Sequence, residues 1–243
     1  MNKESQMLFL AAYTARSQAY AQAMARSGIS PRWVATMGKP VARSLPQTAL
    51  RSTEEYEGIF FPDLRVSVEE TCSAAGWEVL QLANEDVNSG EVAVLFEQLQ
   101  PRLVIYSGYG GQIVGPELLD LGIPFLHVHS GWLPQERGST TIYYRLLERG
   151  TCAASAFVLS QGIDTGELVA RKEFPPPPSG MDIDYLYDPA IRADLLIDVL
   201  RGYALEGLLP YFKPATHEVG LTYYVIHPVL KHLALLSLHN GSK

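Results

Sequence analysis

The sequence predicts an α/β fold, a mostly parallel twisted sheet with helices on both faces. Three observations predict it. Short apolar runs of β type alternate with helical stretches along most of the chain, several helices carry their own start and stop residues, and 243 residues suffice to bury a sizeable core. Sheets of this kind bind ligands at the carboxyl ends of their strands.

The elements follow in order. "MLFLAAY" from residue 7 is a β-type run, "SQAYAQAMARSG" a helical stretch ending at Gly28, and "PRWVATMG" a second strand closed by Gly38. Residues 40–66 are rich in proline, serine and charge and form an excursion from the core. Ser67 and Glu70 have capping-box spacing and open a helix that runs to Gly76. A strand around "EVLQL", a helix "EVAVLFEQLQ" capped near Ser89, and the strand "LVIYSGY" come next. "PELLDLG" has proline at its start and glycine at its end, as helix termini prefer, and the strand "FLHVHS" follows. "STTIYYRLLERG" reads as a helix stopped at Gly150, and "ASAFVLSQGIDTGELVARKEF" as two strands joined by a polar turn with Asp164 at its tip. The prolines at 175–178 cannot continue a ladder and end the core sheet. Asp188–Pro189 starts a helix that carries through "IRADLLIDVLRGYA". The last forty residues mix strand-like and helix-like runs. The expected organisation is a catalytic α/β domain over 1–175 with a helical and strand extension over 176–243 packed on it.

Composition excludes several classes of function. The formal net charge of −7 lacks the electrostatic footprint of a protein that works on a nucleic-acid backbone, so a small-molecule substrate is expected. The longest apolar run falls short of the roughly 20 residues that span a bilayer, and the first residues lack a clean cleavage site; no membrane partner and a cytoplasmic location are expected. Cys72 and Cys152 have no second pair with which to form a metal knuckle, and buried free thiols are expected.

The candidate site lies in "HVHSGWLPQERG", residues 127–138. His127 and His129, two apart on an extended chain, point to one side about 7 Å apart, and such a pair serves either a shared metal ion or one substrate atom. A lone strand histidine is usually a hydrogen-bonded core or rim residue. Two on one face are harder to ascribe to packing, because valines would fill the space without burying polar nitrogens. By composition alone Asp164 is a turn residue bonding its own backbone, Tyr106 and Tyr109 are rim aromatics, and Arg137 is a loop anchor.

From about residue 100 to 175, the ordered set "LVIYSGYGGQIVGPELL", "LHVHSGWLPQERG" and "GIDTGEL" resembles the formyltransferase fold family, which includes glycinamide ribonucleotide, methionyl-tRNA and sugar formyltransferases. The family pattern is Asn-x-His at a strand end, then Leu-Pro, Arg-Gly and a downstream loop aspartate. His129, Leu133, Pro134, Arg137, Gly138 and Asp164 take those positions. The resemblance implies 10-formyltetrahydrofolate as formyl donor, no metal, and attack of an amine on the formyl carbon through a tetrahedral intermediate whose oxyanion needs hydrogen-bond donors. It makes His129 the acid/base and donor, and Asp164 its electrostatic partner. Gly111, Gln112, Ile113, Val114, Gly162 and Ile163 would meet the folate.

Two positions depart from the pattern. His127 stands where the family has asparagine, so donation to the formyl oxygen depends on the ring's tautomer, and His127 is carried as a catalytic candidate on that condition. Gly131 replaces the family serine and is carried with Arg137 as a substrate-binding residue. The chain has about 65 residues after the proline run and no basic patch, so a tRNA acceptor is not expected. An amino sugar, ribonucleotide amine or specialised-metabolite amine is, with Asp182 and Asp184 of "DIDYLYD" holding it. A homodimer is allowed. The alternatives are altered carbonyl chemistry, binding alone, or a zinc hydrolase whose ligands are His127, His129 and Asp164.

Overall fold

The computed structural model describes residues 6–40, 45–50, 55–214 and 218–240. In chain order, β1 (Met7–Ala12) leads into α1 (Ala15–Arg26) and β2 (Trp33–Met37). A small hairpin, β3 (Glu55–Tyr56) and β4 (Ile59–Phe60), precedes α2 (Val68–Ala75), β5 (Val79–Leu82), α3 (Gly90–Leu99) and β6 (Leu103–Ser107). Then come α4 (Pro116–Leu119), β7 (Phe125–His129), β8 (Glu136–Gly138), α5 (Thr141–Arg149), β9 (Cys152–Val158) and β10 (Glu167–Phe174). A π-helical turn at Ile183–Tyr187 runs into α6 (Asp188–Glu206), and β11 (Leu221–Tyr223) and α7 (Pro228–Asn240) complete the order.

The seven-stranded sheet has the order β10-β9-β7-β6-β1-β2-β5. Five neighbouring strands, β5 to β7, pair in parallel, and β9 runs antiparallel to both β7 and β10. All six residues of β1 are buried because the strand is covered on both faces, which is why it reads as a continuous apolar run rather than an alternating one. Met7, Phe9 and Ala11 face a core shared with α1, α2, α5 and α6. Leu8, Leu10 and Ala12 face the opposite core, where α3 contributes Val92, Leu95 and Phe96 and α4 contributes Leu118. The α/β architecture with helices on both faces is therefore as the sequence predicts.

Local signals set the helix ends. Thr14 Oγ1 accepts the Ser17 N–H at 3.1 Å and opens α1 beside the end of β1. The capping box of α2 is complete, with Glu70 N–H on Ser67 Oγ at 3.1 Å and Ser67 N–H on Glu70 Oε2 at 2.7 Å, and Gly76 closes the helix at φ +73°. Two segments differ from expectation. The helix expected over "PELLDLG" stops at Leu119, a single turn. The excursion at 40–66 contributes to the core, because Ile59, Phe61 and Leu64 are buried against it. The tail resolves into β11, which pairs in parallel with β8, and α7, which packs on α5. Cys72 and Cys152 are free and buried. Among the described residues no helix is long and apolar enough to cross a membrane.

Candidate active site

The carboxyl ends of β1, β6 and β7 lie side by side, and the parallel register brings the end of β6 beside His127. His127 Nδ1 lies 3.2 Å from the Tyr106 carbonyl oxygen. A carbonyl can only accept, so the proton sits on Nδ1, and the neutral ring offers a lone pair at Nε2. Burial pushes the ring's pKa well below 6.5, and the nearby cations of Arg16 and Arg192 push it further. His127 is therefore a neutral acceptor.

His129 points to the same side of β7 but is more enclosed, at 5% exposure. Its Nε2–H donates to the Glu136 carbonyl at 2.6 Å, and Thr141 Oγ1 lies 3.3 Å from the same nitrogen. Its Nδ1 faces Asp164 Oδ2 at 3.5 Å. Burial lowers the His129 pKa while the Asp164 carboxylate pulls it upward. The same Asp164 oxygen accepts the Gly138 N–H at 2.8 Å, and the residue holds a left-handed φ of +50°, which a short polar side chain tolerates better than a bulky one. Gly131 is fixed by space, because a Cβ there would lie 2.7 Å from His129 Nε2 and 2.8 Å from the Glu136 carbonyl.

A cleft of about 640 Å³, including its open mouth, lies at this rim. It is lined by the loop Gly110–Gly111–Gln112–Ile113–Val114, by Gly162, Ile163 and Asp164 of the β9–β10 turn, and by His127, Tyr106, Tyr109 and Arg16. Thus all six residues expected to meet folate share one cavity with His127 and Asp164. His129 stands behind Asp164 and is not among the lining residues. Asp164 also lines a neighbouring cavity with Leu133, Pro134, Arg137 and Lys213. The Arg137 Nε is buried there without a partner among the described residues.

No family model matches the chain. Among curated proteins it is 33% identical over 88 residues to a methionyl-tRNA formyltransferase of Finegoldia magna, covering 35% of this chain and 28% of that protein. It is 29% identical over 147 residues to a methionyl-tRNA formyltransferase of Acidobacterium capsulatum, covering 59% and 46% respectively. The chain thus spans less than half the length of these relatives. Among solved structures, a sugar N-formyltransferase of a Shewanella species superposes with a TM-score of 0.57 at 14% identity, covering 96% of this chain and 87% of that one. The chain has the formyltransferase fold. The phosphoribosylglycinamide formyltransferase of Streptococcus pneumoniae agrees, with a TM-score of 0.53 at 18% identity over 83% of this chain and 97% of that one.

Within this formyltransferase fold, Asp182 and Asp184 stand apart from the cleft's lining. Asp182 caps Tyr185 N–H at 2.8 Å and accepts from Thr48 at 3.1 Å, while Asp184 accepts from Tyr143 at 2.8 Å and pairs with Lys231 at 2.5 Å. Nor do His127, His129 and Asp164 form a ligand set: one nitrogen of each ring is bound to a backbone carbonyl, and no group of three suitable side chains among the described residues is placed to hold a metal ion.

Sequence reasoning missed two arginines in the formyltransferase fold. Arg16 reaches the rim from the first turn of α1. Arg192 of α6 donates to the Val128 carbonyl at 3.0 Å and to Ser130 Oγ at 2.7 Å, and its Nε lies 3.0 Å from Asp188 Oδ2. A signal for the first was present: a cation in the opening turn of a helix opposes the helix dipole, so its position asks for another reason.

Proposed function

We propose that this chain transfers a formyl group from 10-formyltetrahydrofolate to the amine of a small molecule, as a cytoplasmic protein without a nucleic-acid partner. The observation that carries the reading is the cleft, which unites the 110–114 loop, the Gly162–Asp164 turn and His127 in a formyltransferase fold. Its chemistry fits a flat heterocycle with several donors and acceptors. Ile113 and Ile163 present apolar surface at 56% and 57% exposure, while Gln112 Oε1 and the Tyr106 hydroxyl are buried polar groups with no partner among the described residues.

In this reading the amine nitrogen attacks the formyl carbon. The new N–C bond forms, the carbonyl pair moves onto oxygen, and the amine proton passes to His127 Nε2. That proton then goes to N10 of the folate as the C–N10 bond breaks and the carbonyl re-forms. The products are the N-formyl amine and tetrahydrofolate. N10 is an arylamine of low basicity, and an imidazolium kept acidic by burial is a suitable donor to it. Asp164, fixed by the Gly138 N–H and backed by His129, supplies a carboxylate that steadies the amine as positive charge develops on it. The net charge of −7 favours a small acceptor over a polyanion. Val219, Leu221, Tyr224, Val225 and Val229 are exposed together along the tail, and we propose that they support a homodimer.

Two measurements test the function. Calorimetry with 5-formyltetrahydrofolate is expected to give saturable binding, and 10-formyltetrahydrofolate with hydroxylamine is expected to yield formohydroxamate above the uncatalysed rate. The absence of both binding heat and product would overturn the reading.

A further inference from the structure

A tetrahedral oxyanion needs a donor, and the side chain on β7 best placed to offer one is an acceptor instead. The Tyr106 carbonyl holds the single proton of the neutral His127 ring on Nδ1. Turning the ring to donate from Nε2 would leave a lone pair against that carbonyl. The requirement for an oxyanion donor must be met elsewhere in the cleft.

Arg16 lines the same cleft. Its Nε–H donates to Ser107 Oγ at 3.1 Å and its Nη2 to the Gly108 carbonyl, so the guanidinium is pinned against the end of β6, the strand that neighbours β7. Ser107 is itself held by Ser17 Oγ at 2.8 Å. Nη1 makes no hydrogen bond and no carboxylate pairs with Arg16 among the described residues. Enclosing a cation without a carboxylate partner is unfavourable, and a guanidinium cannot escape the cost by losing its proton near neutrality. A fixed, charged donor with spare N–H groups facing a cleft is the arrangement that charge developing during a reaction rewards, because no reorganisation is needed when the charge appears.

Resting on the formyl-transfer reading, we propose that Arg16 is a catalytic residue whose terminal N–H groups hold the formyl oxygen as it becomes an oxyanion. The cleft then separates two roles: Arg16 donates to oxygen and His127 accepts from nitrogen. Both hydrogen bonds that Arg16 already makes are to the rim itself, so the group is oriented before any ligand arrives.

The test compares wild type with Arg16→Gln and Arg16→Lys. Three readouts are taken: formohydroxamate formation from 10-formyltetrahydrofolate and hydroxylamine, the Kd of 5-formyltetrahydrofolate by calorimetry, and the melting temperature. Arg16→Gln is expected to lower kcat by about 10²–10³-fold while leaving the Kd within a few-fold, and Arg16→Lys is expected to recover part of the loss. Parallel collapse of Kd and melting temperature in both variants would make Arg16 a structural residue and overturn the proposal. Retention of kcat by Arg16→Gln would overturn it and leave formyl transfer standing. Wild type that neither binds folate nor forms product would overturn both.

Discussion

His127, which the sequence resemblance sets against an asparagine, differs from one in more than shape, because the Tyr106 carbonyl decides which of its nitrogens carries the proton. The same burial that keeps the ring neutral links it to stability. Its folded pKa lies well below the 6.5 of the unfolded chain, so between those values the unfolded state binds a proton that the folded state does not. Stability therefore falls as pH drops below 6.5 toward the folded value, and levels off above it. His127→Asn removes this contribution. Urea unfolding at about pH 7 and about pH 5 is expected to give a smaller loss of stability on acidification in the variant, and equal losses would show that the ring is not held neutral. At this scale the sequence revealed the pair and the aspartate, since these sit in a compact motif. It did not reveal the tautomer or the arginines: the first depends on a neighbouring strand's backbone, and the second come from helices far away in the chain.

The short strand β8 carries more than its length suggests. Its Glu136 offers a backbone carbonyl to His129, while its carboxylate accepts the Trp132 N–H at 2.7 Å and pairs with Arg145 of α5 at 2.7 Å in a buried setting. Arg145 also pairs with Glu173 on β10, so one guanidinium ties α5 to two strands. Arg145→Leu leaves the Glu136 carboxylate uncompensated and is expected to cost about 3–5 kcal/mol by denaturant unfolding at neutral pH; a loss below about 1 kcal/mol would mean that water already compensates the charge. Helices such as α2 were legible because a capping box is local. β8 was not, since its partner β11 is a distant three-residue strand with no hairpin turn to announce the pairing. The same limit explains α4, where good terminal residues framed a segment too short to extend beyond one turn.

Across the whole molecule, two cores clamp the sheet and leave the strand ends as a rim on which loops can vary without disturbing the interior. Ile113 and Ile163 belong to two such loops and are each more than half exposed. Replacing both with alanine is expected to leave unfolding free energy within about 0.5 kcal/mol and to abolish most of the thermal stabilisation given by 5-formyltetrahydrofolate at saturating concentration. Undiminished stabilisation would mean that the folate lies elsewhere. The α/β class was legible because strands covered on both faces are continuous apolar runs. Strand order was not, because many orders satisfy the same burial. The pairing of β8 with β11 joins the chain's tail to the strand that grips His129. Leu208, at 72% exposure, lies on the segment between α6 and that tail. Protease nicking there, followed by release of the fragment, would strip β8 of its partner strand and so loosen the carbonyl that holds the His129 ring, even though the cut itself falls far from the rim in sequence.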